Sequence, residues 1–341
     1  MFIKKIFFVG LGGAGQRHLR IFRDLLPEDT QFSAYRSTGK TPLLNSDFTV
    51  NSDTTLKKHY DLRMFNSIER GLENGPDLIV ISTPSSLHLE TAQKAADRGI
   101  NIFVEKPFSH NLEGFDLFKD TVLKQEVSFF LSFQRRFHAY IKKVKKIIES
   151  GSLGKIISAS FNVASYVPDW HQYEDYLQLY ACRQGLGGGV LLTEIHEIDL
   201  CYWFFGLPAY VYCAGGNYSD VHLDVEDTAH STLKYEDFSV QINLCFMQKH
   251  NRRDFFIAGT KGYAAWDTKG NILTVVDYEK EKENVLSDPD YSNDAMFYSQ
   301  ASYFLNEFKL SNKSYLDAAY ASHAIVEAAK ESMKKGIEIK L

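Results

Sequence analysis

The first third of the chain alternates short apolar runs with segments whose apolar residues recur every three or four positions. This alternation is typical of βαβ units, which build a parallel sheet. The run at residues 77–82 contains no polar alternation, as expected for a strand covered on both faces. The pattern predicts strands at residues 6–9, 32–35, 77–82 and 101–104, and helices at residues 16–26 and 87–98.

From about residue 129 the segments become longer and their polarity alternates, at residues 156–164, 228–235 and 239–247. Such alternation is typical of antiparallel strands with one face in water. Helices are expected at residues 142–150 and 315–335. Together with the length of 341 residues, the change of pattern predicts an α/β domain over residues 1–127 and an α+β domain over residues 128–341.

Composition narrows the class of protein. Hydrophobic residues make up 44% of the chain and charged residues 24%, a balance typical of soluble globular proteins. A net charge of −5 provides no overall attraction to nucleic acid or to an anionic membrane, so neither is expected as a partner. The four cysteines form no C-x-x-C pair, and no close pair of ligands suggests a metal. We predict a cytoplasmic protein that binds a small molecule.

Residues 10–15 read Gly-Leu-Gly-Gly-Ala-Gly, which fits G-x-G-x-x-G between a predicted strand and a predicted helix. In such a motif Gly10 permits a tight turn, Gly12 lets a pyrophosphate approach the backbone, and Gly15 lets the helix pack closely on the strand. The free N–H groups at the helix start, including those of Gly13 and Ala14, would hold the pyrophosphate. The alternative is a plain glycine turn without a ligand.

The end of the second predicted strand bears on the choice of dinucleotide. NAD sites usually have an acidic residue there, which accepts a hydrogen bond from the ribose 2′-hydroxyl. This chain has Tyr35, Arg36, Ser37 and Thr38 instead. A guanidinium and hydroxyl groups would bind a 2′-phosphate through charge-assisted hydrogen bonds. NADP(H) is therefore favoured, NAD(H) is possible, and Arg36 could alternatively stack on the adenine.

Two more strand ends should reach the same crevice, because parallel strands deliver their carboxyl ends to one edge of the sheet. Thr83 and Pro84 would border the nicotinamide, with His88 close behind, and Glu105 and Lys106 end the following strand. We take all five as candidate cofactor-binding residues. The Lys106 ammonium could also polarise a substrate hydroxyl, which would lower the barrier to hydride departure. The alternative is a surface lysine before a turn.

A second group of polar residues follows three glycines at 187–189 and lies on the early turns of a predicted helix. Residues three apart share a helical face, so Asp199 could orient the imidazole of His196. An imidazole that titrates near neutral pH suits exchange of the hydroxyl proton. The alternative is a histidine on the helix surface, with satisfied neighbours and no role in catalysis.

Aromatic side chains are concentrated at residues 166–183, just before these glycines. Trp170 and the tyrosines there could stack on a sugar or a base while donating hydrogen bonds. Arg135, Arg136 and Arg183 could supply donors for an anion. We therefore consider a substrate that carries a negatively charged group, such as a nucleotide-linked sugar. The alternative is a core-packing aromatic patch with surface arginines.

Five motifs taken in order resemble the Gfo/Idh/MocA oxidoreductases, and the resemblance extends from about Ile3 to Asp267. The motifs are the glycine turn, Thr83-Pro84 with Leu87-His88, Glu105-Lys106-Pro107, Gln134-Arg135-Arg136-Phe137, and the glycines that lead to His196.

This resemblance implies an N-terminal Rossmann domain and a C-terminal α+β domain with an open, mainly antiparallel sheet. Such sheets often serve oligomerisation, so a homodimer or homotetramer is expected. The resemblance also implies NAD(P)-linked oxidation or reduction of a sugar-like alcohol. In this family the residues that match Lys106 and His196 face the substrate carbon beside the nicotinamide.

The chain departs from the family pattern at one position. Many members carry an aspartate four residues before the histidine, where this chain has Leu192, or Thr193 if one residue is deleted. Thr193 and Glu194 are therefore the candidates for holding substrate hydroxyls, and Asp199 is a further candidate substrate contact. The departure also leaves open a dinucleotide-binding sensor or regulatory protein that does not catalyse. Reduction of a non-sugar carbonyl is a third interpretation.

Overall fold

A six-stranded parallel sheet organises the first half of the chain. The computed structural model describes residues 3–37, 41–170, 173–221, 223–307 and 312–341. The elements of the first half are β1 (Lys5–Val9), α1 (Gly13–Leu25), β2 (Gln31–Tyr35), β3 (Leu43–Leu44), β4 (Val50–Asn51), α2 (Leu56–His59), β5 (Arg63–Phe65), α3 (Ile68–Glu73), β6 (Leu78–Ile81), α4 (His88–Ala96), β7 (Asn101–Glu105), α5 (Phe115–Lys124) and β8 (Phe129–Ser132).

The order of the strands in this sheet is β5-β2-β1-β6-β7-β8. The chain order reverses between β1 and β6, so their carboxyl ends border a crevice, the usual ligand position in open α/β sheets. All four residues of β6 are buried, as its uninterrupted apolar run predicts. β8 belongs to this sheet although it lies beyond residue 127, where the change of pattern placed the domain boundary. The α/β fold class is confirmed.

A nine-stranded sheet forms the second half. Its elements are α6 (Ala139–Glu149), β9 (Ile156–Tyr166), α7 (Val190–Thr193), α8 (Ile195–Phe205), β10 (Tyr210–Gly216), β11 (Thr228–Lys234), β12 (Ser239–Cys245), β13 (Met247–Gly259), β14 (Gly262–Asp267), β15 (Ile272–Asp277), β16 (Lys282–Ser287), α9 (Asp294–Asn306), α10 (Asn312–Lys335) and β17 (Ile339–Lys340). Several short 3-10 turns connect β9 to α7.

This sheet has the order β16-β15-β14-β13-β9-β12-β11-β10-β17. Its strands are antiparallel except for β9 and β12, which pair in parallel. The prediction of a mainly antiparallel sheet is confirmed, but the expectation that β9 and β12 are purely antiparallel strands is wrong. Alternating polarity reports one buried face, and it does not report the direction of the neighbouring strand.

The last two helices return to the first half of the molecule. α9 packs on α1, where the Tyr298 hydroxyl donates a hydrogen bond to the Asp24 carboxylate. α10 packs on β10 and α8, and Nε2 of its His323 lies 2.8 Å from the carbonyl oxygen of Ser109. These contacts hold the last two helices against the first half of the molecule. None of the helices in the described ranges is long and apolar enough to cross a membrane.

Candidate active site

The glycine turn leaves open space at Gly12, before the first helix, whereas the Phe48 ring and the Tyr173 hydroxyl lie over Gly13. Gly10 has a φ of +92°, and a Cβ atom there would lie 2.6 Å from the Ser82 carbonyl oxygen, so only glycine fits without strain. Gly12 precedes α1 and provides no side-chain cap, and a Cβ atom on Gly12 would meet nothing within 4 Å. The Thr83 hydroxyl is buried and has no partner within the described part of the chain. A dinucleotide would fit here, because the N-terminus of α1 has no side-chain cap, Gly12 leaves space and the Thr83 hydroxyl has no partner among the described residues.

Arg36 lies at the far end of this crevice, directly after β2. One of its guanidinium nitrogens, Nη2, donates a hydrogen bond to the Thr41 carbonyl oxygen at 2.5 Å, and its partial burial lowers its pKa. Tyr35 accepts a hydrogen bond from the Gly10 N–H at 3.1 Å through its carbonyl oxygen. Ser37 is exposed, and Thr38 lies outside the described residues.

The two halves of the molecule meet at Lys106. Its Nζ donates a hydrogen bond of 2.7 Å to the carbonyl oxygen of Thr193, the last residue of α7. The Thr193 hydroxyl is buried and unpartnered within the described residues. His196 follows three residues later, on the first turn of α8, and its pKa responds to the charge of Lys106. The lysine, the threonine and the histidine therefore form one cluster.

His196 is neutral in this cluster. Burial, and then the charges of Lys106, Arg253 and Arg135, lower its pKa well below the usual value. Its Nε2 lies 2.9 Å from Nε2 of Gln134, and its Nδ1 is buried without a partner in the described ranges. Gln134 was not among the predicted site residues. The available signal was its position directly after the last strand of the first sheet, within a motif that carries the family resemblance.

Asp199 does not orient His196, so that prediction is wrong. Its carboxylate accepts hydrogen bonds from Nε and Nη2 of Arg136, at 2.9 and 2.5 Å. Both side chains are buried, and two parallel charge-assisted bonds satisfy this carboxylate better than one imidazole could. Since α8 is buried on almost every side, the shared-face rule could not choose the partner. The same ion pair removes Asp199 from the candidate substrate contacts.

The Glu105 and His88 side chains are both engaged by protein groups. Glu105 lies 2.5 Å from Nε2 of His18 and accepts a hydrogen bond from the Lys106 N–H at 3.1 Å. Burial opposes its ionisation, but His18 and Lys106 prevail and lower its pKa. The ring nitrogens of His88 lie 2.7 and 2.8 Å from the carbonyl oxygens of Thr83 and Pro107. Both side chains are buried, so they position the neighbouring Thr83 and Lys106.

A cavity of about 450 Å³ is lined by Glu194, the residue that follows Thr193 in the chain. Three predicted substrate residues line it, namely Arg135, Trp170 and Glu194. Arg183 does not, because it is exposed and donates a hydrogen bond to Gln178 at 3.1 Å. Of the aromatic segment, His171 lies outside the described residues. Further residues on the wall that the sequence did not indicate include His138, Ser165, Arg253, Trp266 and Tyr291.

Arg253 neutralises the acidic residues beside this cavity. Its guanidinium pairs with Glu194 and lies 3.5 Å from Glu197. Burial, together with the adjacent Glu194, raises the pKa of Glu197 although Arg253 opposes the shift. Arg253 lies on β13, more than fifty residues from its partners, and nothing in the local sequence indicates this pairing.

Sequence models of known families match both halves of the chain. Residues 4–133 match the oxidoreductase family with an NAD-binding Rossmann fold, and residues 141–265 match the GFO/IDH/MocA C-terminal domain. A curated relative, the 2,7-anhydro-N-acetylneuraminate hydratase of Mediterraneibacter gnavus, is 28% identical over 166 residues. That alignment covers 47% of this chain and 43% of the relative, so this chain spans less than half of the relative's length.

Solved structures show the same fold over the whole chain. The WlbA dehydrogenase from Bordetella pertussis, in complex with NADH and UDP-GlcNAcA, has a TM-score of 0.78 and 21% identity, with 100% of this chain and 99% of that chain covered. Myo-inositol 2-dehydrogenase from Lactobacillus plantarum has a TM-score of 0.77 and 20% identity, with complete coverage of both chains. Because both family models match in sequence order, the chain belongs to the Gfo/Idh/MocA family of oxidoreductases.

Proposed function

We propose that the protein is an NAD(P)-dependent oxidoreductase that acts on a carbinol or keto carbon of a sugar or nucleotide-linked sugar. The observation that carries this proposal is the hydrogen bond from Lys106 to the Thr193 carbonyl oxygen, which joins the end of β7 to α7, directly before the helix that bears His196. Glu194, which follows Thr193, lines the cavity. Names of similar proteins, which include an inositol dehydrogenase and a complex with UDP-GlcNAcA, support the sugar class.

Lys106 and His196 divide the acid–base work in this mechanism. When bound, the nicotinamide accepts or supplies the hydride. The Lys106 ammonium donates a hydrogen bond to the substrate oxygen and stabilises its alkoxide character. Gln134 Oε1 has no partner in the described residues, and an amide turned so that Oε1 faces the ring accepts a hydrogen bond from Nε2–H of His196. Nδ1 of neutral His196 is then unprotonated, so it accepts the hydroxyl proton in oxidation and the imidazolium returns that proton in reduction. The surrounding cations lower the pKa of His196, which makes its imidazolium a ready proton donor.

The binding residues follow from the same arrangement. The N–H groups of Gly12, Gly13 and Ala14 would hold the pyrophosphate, and the Thr83 hydroxyl would border the nicotinamide. The Thr193 hydroxyl would bind a substrate hydroxyl. NADP(H) is the preferred cofactor in this proposal because β2 is followed by Arg36 and not by an acid, and NAD(H) is the second choice. The cytoplasmic location, the homodimer or homotetramer and the domain boundary stay predictions.

Replacing Lys106 tests the mechanism. Lys106→Met should lower turnover about 10²- to 10⁴-fold, because the ammonium acts on the reacting oxygen. Its affinity for NADPH and NADH, measured by fluorescence titration, should stay close to that of the wild type. The same titrations of the wild type test the cofactor preference. Lys124→Met, an exposed change on α5, is the matched control. Wild-type turnover by the Lys106 variant would remove this residue from the mechanism.

The alternative of a non-catalytic sensor keeps the crevice but not the reaction. Its support is the absence of an acid at Leu192 and Thr193. Absorbance at 340 nm, followed with NADPH, NADH and a panel of keto-sugars, distinguishes the two functions. Oxidation of the cofactor that depends on both a sugar and Lys106 would exclude the sensor.

A further inference from the structure

Arg135 is a cation without a partner beside the cavity. It follows β8 in a 3-10 turn, and its Nε and Nη1 atoms are closed to solvent and make no hydrogen bond to any described residue. Burial, and then Arg253, lower its pKa to about 9, so it stays charged at neutral pH. A buried charge without a partner destabilises a fold, because its lost hydration is not replaced. Such a group is retained most readily where a ligand supplies the missing partner.

The carboxylates near Arg135 are already engaged. Glu194 forms an ion pair with the Arg253 guanidinium, and the Glu197 carboxylate lies 3.5 Å from the same group. Asp199 is held by two bonds from Arg136. Asp288 also lines the cavity, but it is exposed to solvent and is not among the groups that shift the pKa of Arg135. Within the described residues Arg135 therefore has no ion-pair partner, although Glu194 and Glu197 act on it from a distance.

A second unpartnered donor faces the same space. Ser165, near the end of β9, lines the cavity, and its buried hydroxyl has no hydrogen-bond partner in the described part of the chain. The indoles of Trp170 and Trp266 form apolar parts of the wall. Such faces suit the C–H surface of a sugar ring. The cavity thus combines a surface that suits a sugar ring with two side chains, Arg135 and Ser165, whose donors have no partner in the described residues.

We infer that the substrate is an acidic sugar whose carboxylate binds Arg135 and Ser165 in this cavity. The inference rests on the proposed function and specifies its substrate class. One free guanidinium and one hydroxyl match a single negative charge, and a phosphate dianion would require a second free cation. The carbinol group of the same molecule reaches Lys106 and His196, while the carboxylate fixes its orientation.

Direct binding tests the inference without turnover. Affinities of D-glucuronate and D-galacturonate are compared with those of D-glucose and D-galactose by calorimetry, with and without NADP⁺, and glucose 6-phosphate is a further probe. We expect the wild type to bind at least one acid about tenfold or more tightly than its neutral partner, as a charge-assisted hydrogen bond allows. Arg135→Gln should remove this preference, so that the acid and its neutral partner bind with similar affinity. Ser165→Ala should reduce it, and Arg135→Lys should restore part of it.

Arg252→Gln is the matched control, because Arg252 lines the same cavity but is exposed and pairs with Asp254. Circular dichroism establishes that each variant is folded. The inference is overturned if neither acid binds more tightly than its neutral partner, if Arg135→Gln keeps the preference, or if glucose 6-phosphate binds more tightly than the acids. Lys106→Met separates the two proposals. If this variant loses turnover but still binds the acid more tightly than the neutral sugar, both proposals are supported. If it keeps normal turnover and the same binding preference, only the proposed mechanism is contradicted.

Discussion

Arg135 and Arg136 are adjacent in the chain, but their guanidinium groups have opposite surroundings. Arg136 is paired with Asp199 and lies 5.4 and 5.6 Å from the ring centres of Phe133 and Trp203. Arg135 has no bonded partner within the described residues. Two residues of one type thus serve different purposes, one in stability and one in ligand binding.

This contrast predicts stability changes of opposite sign. Arg136→Met leaves the buried Asp199 carboxylate uncompensated and should lower the free energy of unfolding by about 3–5 kcal/mol. Arg135→Met removes an unpaired cation and should raise that free energy by about 1–3 kcal/mol. Urea denaturation at pH 7 without ligand measures both, and each variant is the control for the other. A loss of stability in both would show that Arg135 has a structural partner.

At the scale of elements, one residue, His138, both caps the N-terminus of helix α6 and lines the cavity. His138 precedes the helix, and its Nδ1 accepts a hydrogen bond from the Tyr140 N–H at 3.2 Å. Its ring lies 5.1 Å from that of Trp266 and 4.4 Å from that of Tyr291. Burial, and then Arg135, lower its pKa to about 4, so a neutral imidazole caps the helix at pH 7.

This cap should make stability sensitive to acid. Below pH 6.5 the unfolded chain protonates His138, whereas the folded chain does so only near pH 4, so stability present at pH 7 is lost in that window. Relative to His138→Asn, which keeps a capping side chain, the wild type should lose up to about 1.4 kcal/mol per pH unit. Urea denaturation at pH 7, 6 and 5 measures the difference. His250→Asn, an exposed control that keeps His138, should retain the wild-type slope, and an equally steep change in His138→Asn would contradict the assignment.

The bounds of the helices and strands could be predicted from the sequence better than the pairing of the strands within a sheet. The helix predicted at residues 87–98 is found as His88–Ala96, and the strand predicted at 101–104 is found as Asn101–Glu105. Periodicity and capping act within a few residues, so they are visible in the sequence. The parallel pairing of β9 with β12 depends on how the whole sheet closes, which no local pattern records.

At the scale of the whole molecule, α9 and α10 join the two sheets. Nε2 of Gln300 on α9 donates a hydrogen bond of 3.0 Å to Ser132, whose hydroxyl also donates to Glu105. Glu105 in turn accepts from the Lys106 N–H. The position of the lysine therefore depends on α9 as well as on its own strand.

This coupling predicts a single unfolding transition. All three tryptophans lie in the second half of the chain, so their fluorescence reports on that half. NADPH, which would bind the first half, should raise the thermal midpoint seen by tryptophan fluorescence, by an amount that grows with ligand concentration. Far-ultraviolet circular dichroism should give the same midpoint. Two separate transitions, or a tryptophan midpoint that does not respond to bound NADPH, would contradict the coupling.

The sequence by itself determined the two fold classes, the glycine turn and the residue types that carry the proposed chemistry. These depend on local spacing, such as Gly10 directly after a strand and Lys106 at the end of another. Only the tertiary structure decided which charges meet: Asp199 with Arg136 and not His196, Glu105 with His18, and Arg135 with none of the residues that the structure describes. A charged side chain takes the partner that burial brings within bonding distance, and that distance is set by packing between elements far apart in the chain.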